Sequence, residues 1–309
     1  MTNQRIIIGT RGSDLALVQA TATEAALRDA FPELELVREV IRTTGDRRTD
    51  VALSEVAKVE GVLDKGVFTK ELEIALEDKS IDVAVHSLKD VPTVLEPGFE
   101  IAGTLPRAPI RDVLVMTVPG GIDALPEGAT VGTSSVRRAR QLEWLRPDLK
   151  VVDIRGNVPT RLRKVAAGEF DAIMLAEAGL VRLGHPMDRV CEVEGVSLHF
   201  APLDEEQFFP AAGQGAIGFE IRSGDDVTRE RIASIVDGPT LVRVTAEREF
   251  LRLLDAGCHT PVGVFTILDG ENLTMAARVF PDEGGEPKTG RVGGSDPITV
   301  AKELFESLA

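Results

Sequence analysis

The chain has 309 residues, 43% of them apolar and 28% charged, the profile of a globular protein large enough for two or three domains. Its formal net charge is −15, aromatic residues make up 4%, and there is no tyrosine. Tracking a phosphate backbone and stacking bases both need the opposite balance, so no nucleic-acid partner is expected. Four scattered histidines and two distant cysteines, Cys191 and Cys258, show no metal-ligand spacing. No apolar run approaches membrane-spanning length, and the first residues lack the basic lead and apolar core of a leader peptide. The expectation is a cytoplasmic protein with free thiols, no metal and no membrane contact.

In chain order, Ile6-Ile7-Ile8 opens a strand, Gly9-Thr10-Arg11-Gly12-Ser13 reads as a polar turn, and 14–30 is helical. A strand at 34–41 follows. Lys65-Gly66-Val67-Phe68 is either an ordinary loop with Phe68 packed in the core or a segment placed over a cleft. A helix at 70–77 leads to a buried strand at 81–85, which ends at His86-Ser87-Leu88-Lys89-Asp90-Val91-Pro92. Pro92, Pro97, Pro106 and Pro109 punctuate a stretch in which 99–103 and 113–117 read as strands passing from one domain to another. Strand, loop and helix then recur twice, at 129–145 and 150–167. A strand at 216–221, after Pro210-Ala211-Ala212-Gly213-Gln214-Gly215, reads as returning the chain to the first sheet. From about Ser223 come two helical stretches, the Cys258 turn, a strand pair at 262–268 and 273–279, an acidic turn at 281–287 that reads as a hairpin loop, and a terminal helix begun by Asp296-Pro297. Residues 191–207 carry no usable motif.

Alternation of strand and helix predicts an α/β fold with mainly parallel sheets. Three domains are expected: 1–108 with 203–222, 109–202, and a small α+β domain at 223–309.

Between Gly132 and Lys164 the charge reverses. Nine Lys/Arg stand against three acids, a net of +6, so the remaining residues must sum to −21. Gly132-Thr133-Ser134-Ser135-Val136-Arg137-Arg138 and Arg155-Gly156-Asn157 each fall where a strand gives way to a helix. Unpaired N–H groups and positive dipole at a helix start favour anions, and planar guanidinium forks beside hydroxyls suit several carboxylates held at fixed angles. A small polyanionic ligand is therefore expected, although a charge run is also what a solvated helix face looks like.

Two positions allow chemistry. Lys89-Asp90 lies just past an apolar strand. It reads either as a capping aspartate beside a solvated lysine, or as a carboxylate at the mouth of an arginine-rich cleft, suited to handling a proton or stabilising a cation. Cys258, in Gly257-Cys258-His259-Thr260-Pro261-Val262-Gly263, reads either as a small buried hydrophobe or as a thiol lifted onto a loop as nucleophile or attachment point.

Taken in order, Val85-His86-Ser87-Leu88-Lys89-Asp90-Val91-Pro92, the Gly132 to Arg138 motif, Arg155-Gly156-Asn157, Gly213-Gln214-Gly215 and the Gly257 to Gly263 motif resemble the porphobilinogen deaminase (hydroxymethylbilane synthase) family, from Ile6 to about Val264. The resemblance implies three domains, the first two hinged like periplasmic binding proteins. It implies a transferase of tetrapyrrole biosynthesis that joins four porphobilinogen units head to tail with loss of ammonia and releases hydroxymethylbilane. The implied cofactor is a dipyrromethane held by a thioether to Cys258, and the implied catalytic carboxylate is Asp90, which assists ammonia loss and stabilises positive charge on pyrrole nitrogen. Arg11, Arg137, Arg138, Arg155, Arg161 and Arg182 match the family's carboxylate-binding positions, with Ser13, Ser87, Lys89, Thr133, Ser134 and Ser135 as further donors. Lys65 and Phe68 fall in a segment similar to the family's mobile loop. A monomer is expected, with porphobilinogen as its small-molecule partner. The rival reading is a non-catalytic polyanion-binding protein on the same scaffold, for which neither Asp90 nor Cys258 would be required.

Overall fold

The computed structural model describes residues 5–47, 68–185, 187, 190–255, 260–281 and 284–308. Among them three sheets form. The first contains β1 (Arg5–Arg11), β2 (Glu35–Ile41), β3 (Val83–Ser87), β4 (Phe99–Thr104) and β11 (Ile217–Arg222), in the order β2-β1-β3-β11-β4. The second contains β5 (Asp112–Met116), β6 (Thr130–Gly132), β7 (Lys150–Val152), β8 (Ala172–Ala176), β9 (Cys191–Val193) and β10 (Val196–Pro202), in the order β7-β6-β8-β5-β10-β9. The third is an antiparallel meander of β12 (Val262–Asp269), β13 (Asn272–Val279) and β14 (Lys288–Gly294).

Parallel pairing is confined to β2-β1-β3 and β7-β6-β8; the remaining strands of both larger sheets run antiparallel. The sheets are thus more mixed than strand-helix alternation predicts. Helical crossovers enforce parallel neighbours only where each strand is followed by its own helix, whereas β4, β5, β10 and β11 carry the chain between sheets. As expected, the strand after the Pro210 turn returns to the first sheet, where β11 fills the place between β3 and β4. Residues 191–207, silent in sequence, contribute β9 and β10, and β14 also lacked a sequence signal.

Helices begin where capping chemistry allows. In α1 (Asp14–Ala30) Ser13 Oγ accepts from Ala16 N, with Asp14 in the first turn. A short α2 (Thr44–Arg47) and then α3 (Lys70–Glu77) follow β2. Ser135 caps α4 (Val136–Leu145), and Asn157 Oδ1 accepts from Thr160 N at 3.0 Å to open α5 (Val158–Ala166). The three Arg/hydroxyl turns of the sequence are therefore all helix starts at the ends of strands. The short α6 (Glu177–Arg182) follows β8 directly, and α7 (Asp226–Ala233), α8 (Gly238–Leu253) and α9 (Pro297–Leu308) lie in the C-terminal part. A core of Ala246, Phe250, Val264, Met275, Val300 and Leu304 joins α8 and α9 to the third sheet. No helix among the described residues is long and apolar enough to cross a membrane.

Two segments cross between the larger sheets, 105–111 and 203–216, and they lie side by side. Leu105 N donates to Ile217 O at 3.2 Å and Ala108 N to Gly215 O at 3.1 Å. Gly215 adopts φ +83, and a Cβ there would stand 2.4 Å from Ala108 O, so only glycine permits this approach. Glu247, fully buried on α8, locks both crossings. Its Oε1 accepts from Arg107 Nη1 at 2.7 Å and Thr266 Oγ1 at 2.6 Å, and its Oε2 from Arg107 Nη2 and Gly213 N, both at 2.8 Å. Arg107 Nε also donates to Gln214 O at 2.9 Å. Glu247→Ala strands a buried guanidinium and is expected to lower the unfolding free energy by about 3–5 kcal/mol, read as a lower urea midpoint. A loss below about 1 kcal/mol, the scale of an exposed pair, would mean that other contacts hold the junction.

Candidate functional site

A cavity of about 870 Å³ opens between the first and second sheets. The first unit contributes Arg11, Arg42 and Lys89 to its wall, and the second contributes Arg155, Arg161, Lys164 and Arg182. The carboxylates lining it are Asp14 and Asp90, so seven cations face two anions in a protein of net charge −15. This is the electrostatics of a site for a ligand bearing several carboxylates or phosphates.

Strand ends place most of these groups. Arg11 closes β1, and its guanidinium lies over the Phe68 ring, 4.1 Å from the centroid. Phe68 itself packs so closely on Gly45 that a Cβ there would lie 2.1 Å from the ring. Phe68 is thus part of the cleft wall; Lys65 lies outside the described residues. Ser87 ends β3, where its Oγ meets the Gln19 amide of α1, receiving from Nε2 at 2.8 Å and donating to Oε1 at 3.2 Å. Ser13 Oγ accepts in the α1 cap and keeps its own proton to donate.

Lys89 and Asp90 occupy a single 3-10 turn, Leu88–Asp90, half-buried beside the cavity. Among the described residues neither side chain has a hydrogen bond or an ion pair, so both are available to a ligand. Burial pushes the Lys89 ammonium below its ordinary pKa, and Asp90 opposes that shift. Gly213, at φ +69, backs the turn; a Cβ there would lie 3.1 Å from Lys89 N.

On the facing wall Arg161 donates from Nε to Gly156 O at 2.8 Å. Burial, with Arg138 and Arg155 nearby, pushes Arg161 down to about 10. Arg182 donates to Gly215 O at 2.7 Å, and burial likewise pushes it down to about 10. Charges that crowd and desolvate one another without enough partners are in the electrostatic state that a bound polyanion would relieve.

The Gly132 to Arg138 motif, expected from the resemblance to supply ligand contacts, stands behind the residues that line the cavity. Arg137 and Arg138 are buried behind the cleft and committed to Asp112. Arg137 Nη1 donates to Asp112 Oδ2 and to Phe209 O, both at 2.6 Å. Arg138 reaches Asp112 Oδ1 from Nη2 at 2.7 Å and from Nε at 2.9 Å, and Met174 O from Nη1 at 3.0 Å. Gln214 Nε2 adds a contact to Asp112 Oδ1 at 3.1 Å. Of the hydroxyls, Ser134 Oγ donates to Ile154 O at 2.5 Å, whereas Ser135 accepts in the α4 cap and Thr133 Oγ1 accepts from Ser135 N at 3.2 Å. None of these five residues lines the cavity. The buried face of α4 is Arg137, Arg138, Gln141 and Leu142, because that face is pressed against β5 and the Phe209 backbone.

Sequence reasoning missed Gln19, Arg42, Lys164 and Asp112. Arg42 had a usable signal, since it follows β2 as Arg11 ends β1. Asp112 had none, because its partners lie far along the chain. Cys258 lies outside the described residues; Cys191 is a half-buried free thiol whose Sγ is 3.5 Å from His185 Nδ1.

Residues 6–230 match the family model described as porphobilinogen deaminase, dipyromethane cofactor binding domain, and residues 241–309 match that of the porphobilinogen deaminase C-terminal domain. The porphobilinogen deaminase of Syntrophobacter fumaroxidans is 45% identical over 318 residues, covering 100% of this chain and 97% of that protein. That of Rubrobacter xylanophilus is 42% identical over 304 residues, covering 98% and 93%. Among solved structures, the periplasmic VFT2 domain of Bordetella pertussis BvgS aligns with a TM-score of 0.45 at 15% identity, over 78% of this chain and 91% of that one.

Burial opposes ionisation of Asp112, but the adjacent Arg137 and Arg138 outweigh it and hold the carboxyl well below the usual range. A folded-state pKa below the unfolded value of about 3.9 contributes stability above that pH, and the contribution is lost as the pH falls toward the folded value. Asp112→Asn is therefore expected to be less stable than the parent near neutrality. In urea titrations the gap should narrow from about pH 4 downward; a gap independent of pH would contradict the assignment.

Proposed function

Since the chain belongs to the porphobilinogen deaminase family, we propose that it condenses four porphobilinogen molecules head to tail, with loss of ammonia, into hydroxymethylbilane. The observation that carries this reading is Asp90, a carboxylate without a side-chain partner among the described residues, set in a cleft lined by seven cations. Each substrate carries an acetate and a propionate, so a growing chain brings many carboxylates into one site. Arg11, Arg155, Arg161 and Arg182, with Lys89, offset that charge, the Ser13 hydroxyl donates a further hydrogen bond, and Ser87 does so by turning its proton from Gln19 to the ligand. Arg137 and Arg138 act behind them, shaping the wall through Asp112.

The same lining fits a dipyrromethane, an apolar pair of rings fringed with carboxylates, attached through the Cys258 thiol in the segment between α8 and β12. Once bound, that group supplies the pyrrole carbon from which the product chain is extended. Asp90 is the residue that handles charge at the reacting pyrrole. It stabilises positive charge on the ring nitrogen, and its carboxylate oxygen exchanges the proton that accompanies loss of ammonia. Lys89, its neighbour, keeps an acidic arm oriented beside it.

Domain boundaries at 1–108 with 203–222, 109–202 and 223–309 accord with the strands each sheet recruits and put the cleft between the first two. Two side-by-side crossings are the connection through which such domains close on a ligand. We further read the protein as a cytoplasmic monomer, which a charge of −15 favours by keeping copies apart.

Intact mass under denaturing conditions tests the cofactor. The purified protein is expected to exceed its sequence mass by two porphobilinogen units less the ammonia lost on coupling, and Cys258→Ser to show no excess. A parent protein that stays unmodified after incubation with porphobilinogen would leave only a polyanion-binding protein. Asp90→Asn is expected to keep the mass excess while kcat falls by about 10²-fold or more; near-normal turnover would remove Asp90 from the chemistry.

A further inference from the structure

Neither Lys89 nor Asp90 is held by a side-chain hydrogen bond among the described residues, so the direction in which Asp90 points is set by the backbone of its turn. That backbone is fixed at three places. On entry, Leu88 N donates to Ala216 O at 3.0 Å; within the turn, Val91 N donates to Leu88 O at 3.2 Å. On exit, Arg248 Nη1 donates to Val91 O at 3.1 Å and Nη2 to Pro92 O at 2.6 Å. The first tie comes from the return crossing and the second is local to the turn. The third comes from α8, which follows the first sheet in the chain and leads toward Cys258.

Burial surrounds this third tie. Leu88 and Val91 are each 1% exposed and pack with Val244 and Leu241 of α8, so the helix covers the back of the turn. Glu220, fully buried on β11, places its charge near Arg248; its Oε2 lies 2.8 Å from His86 Nε2, and its Oε1 has no hydrogen-bond partner among the described residues. Burial pushes Arg248 down to about 10, and Glu220 opposes that shift and keeps the guanidinium charged. A guanidinium presents two N–H groups in a rigid plane, which is what two successive carbonyls require; an ammonium cannot reproduce that fork.

We infer that Arg248 is a positioning residue for the condensation, holding the Val91 and Pro92 carbonyls so that the Leu88–Asp90 turn presents the Asp90 carboxylate to the cleft. The inference rests on the reading of Asp90 as the reacting carboxylate. It makes α8, the helix that precedes the Cys258 segment in the chain, the element that fixes the Asp90 turn. Glu247 locks the crossings from one position of that helix, and Arg248 fixes the turn from the next.

The test compares cofactor-loaded Arg248→Gln, Arg248→Lys and Asp90→Asn with the parent, measuring intact mass, melting temperature, and kcat and KM for porphobilinogen per loaded, folded molecule. Arg248→Gln is expected to lower kcat about tenfold, as a small displacement of a reacting group does, with KM within about twofold because the cleft arginines are untouched. Arg248→Lys retains the charge that Glu220 faces and is expected to melt near the parent temperature, yet to lose kcat severalfold because one carbonyl is released. A merely structural role predicts parental kcat per loaded, folded molecule in both Arg248 variants, and that result overturns the inference. Where Arg248→Gln does not fold, Arg248→Lys decides alone. Full turnover by Asp90→Asn removes the reading of Asp90 and the inference together, whereas an inert Asp90→Asn beside fully active Arg248 variants removes the inference alone.

Discussion

The placement of the three sheets relative to one another depends on a buried carboxylate, Glu247, that receives four hydrogen bonds from Arg107, Gly213 and Thr266. Each donor comes from a different stretch of chain: the outward crossing, the return crossing and the third sheet. From there the polar network continues through Gln214, whose amide reaches Ile110 O at 2.6 Å and Asp112, and then into Arg137 and Arg138. Burying so much charge gains little stability over a well-packed apolar core, because desolvation offsets most of the attraction. It specifies geometry instead: each group has one arrangement that satisfies it, and departures leave a charge unpaired in a medium that solvates it poorly. Apolar packing at a three-way junction would tolerate sliding that this network forbids.

That rigidity bears on the cleft because the cleft is electrostatically unfavourable by itself. Arg155 and Arg161 crowd one another, while Arg182 is half-enclosed and Lys89 is desolvated. Like charges held together would spread apart if their supports yielded. Their supports are backbone carbonyls at fixed positions, Gly156 O for Arg161 and Gly215 O for Arg182. The strain between the cations is offset when a ligand with several carboxylates enters, so affinity is prepared before binding. In a protein of net charge −15, such a cationic cleft draws in anionic ligands.

Within this field Asp90 is distinctive for its freedom. Most other acids near the junction are committed: Asp112 to two arginines, Glu247 to Arg107, Glu177 to Arg111 at 2.7 Å. Asp90 has no such commitment among the described residues, and its direction is inherited from a turn clamped by Ala216, Gly213 and Arg248. Chemistry at a carboxylate requires that it be positioned without being neutralised, and a backbone clamp achieves both.

Local sequence determined the strand-turn-helix units, because apolar runs, hydroxyl caps and glycine turns act over a few residues and need no distant partner. It also determined the place of the Lys89-Asp90 turn and of Cys258 within recognisable motifs. Which arginines line the cavity was decided only by tertiary structure. Arg137 and Arg138 share a helical face with Leu142, a spacing that marks them as inward, but their commitment needed Asp112 to arrive from another strand. Arg42 and Lys164 meet across the cavity only once two separate sheets are set side by side. Charge alone cannot distinguish a guanidinium that binds a ligand from one that braces a wall, since both are satisfied by carboxylates; the distinction lies in which carboxylate the fold brings within reach.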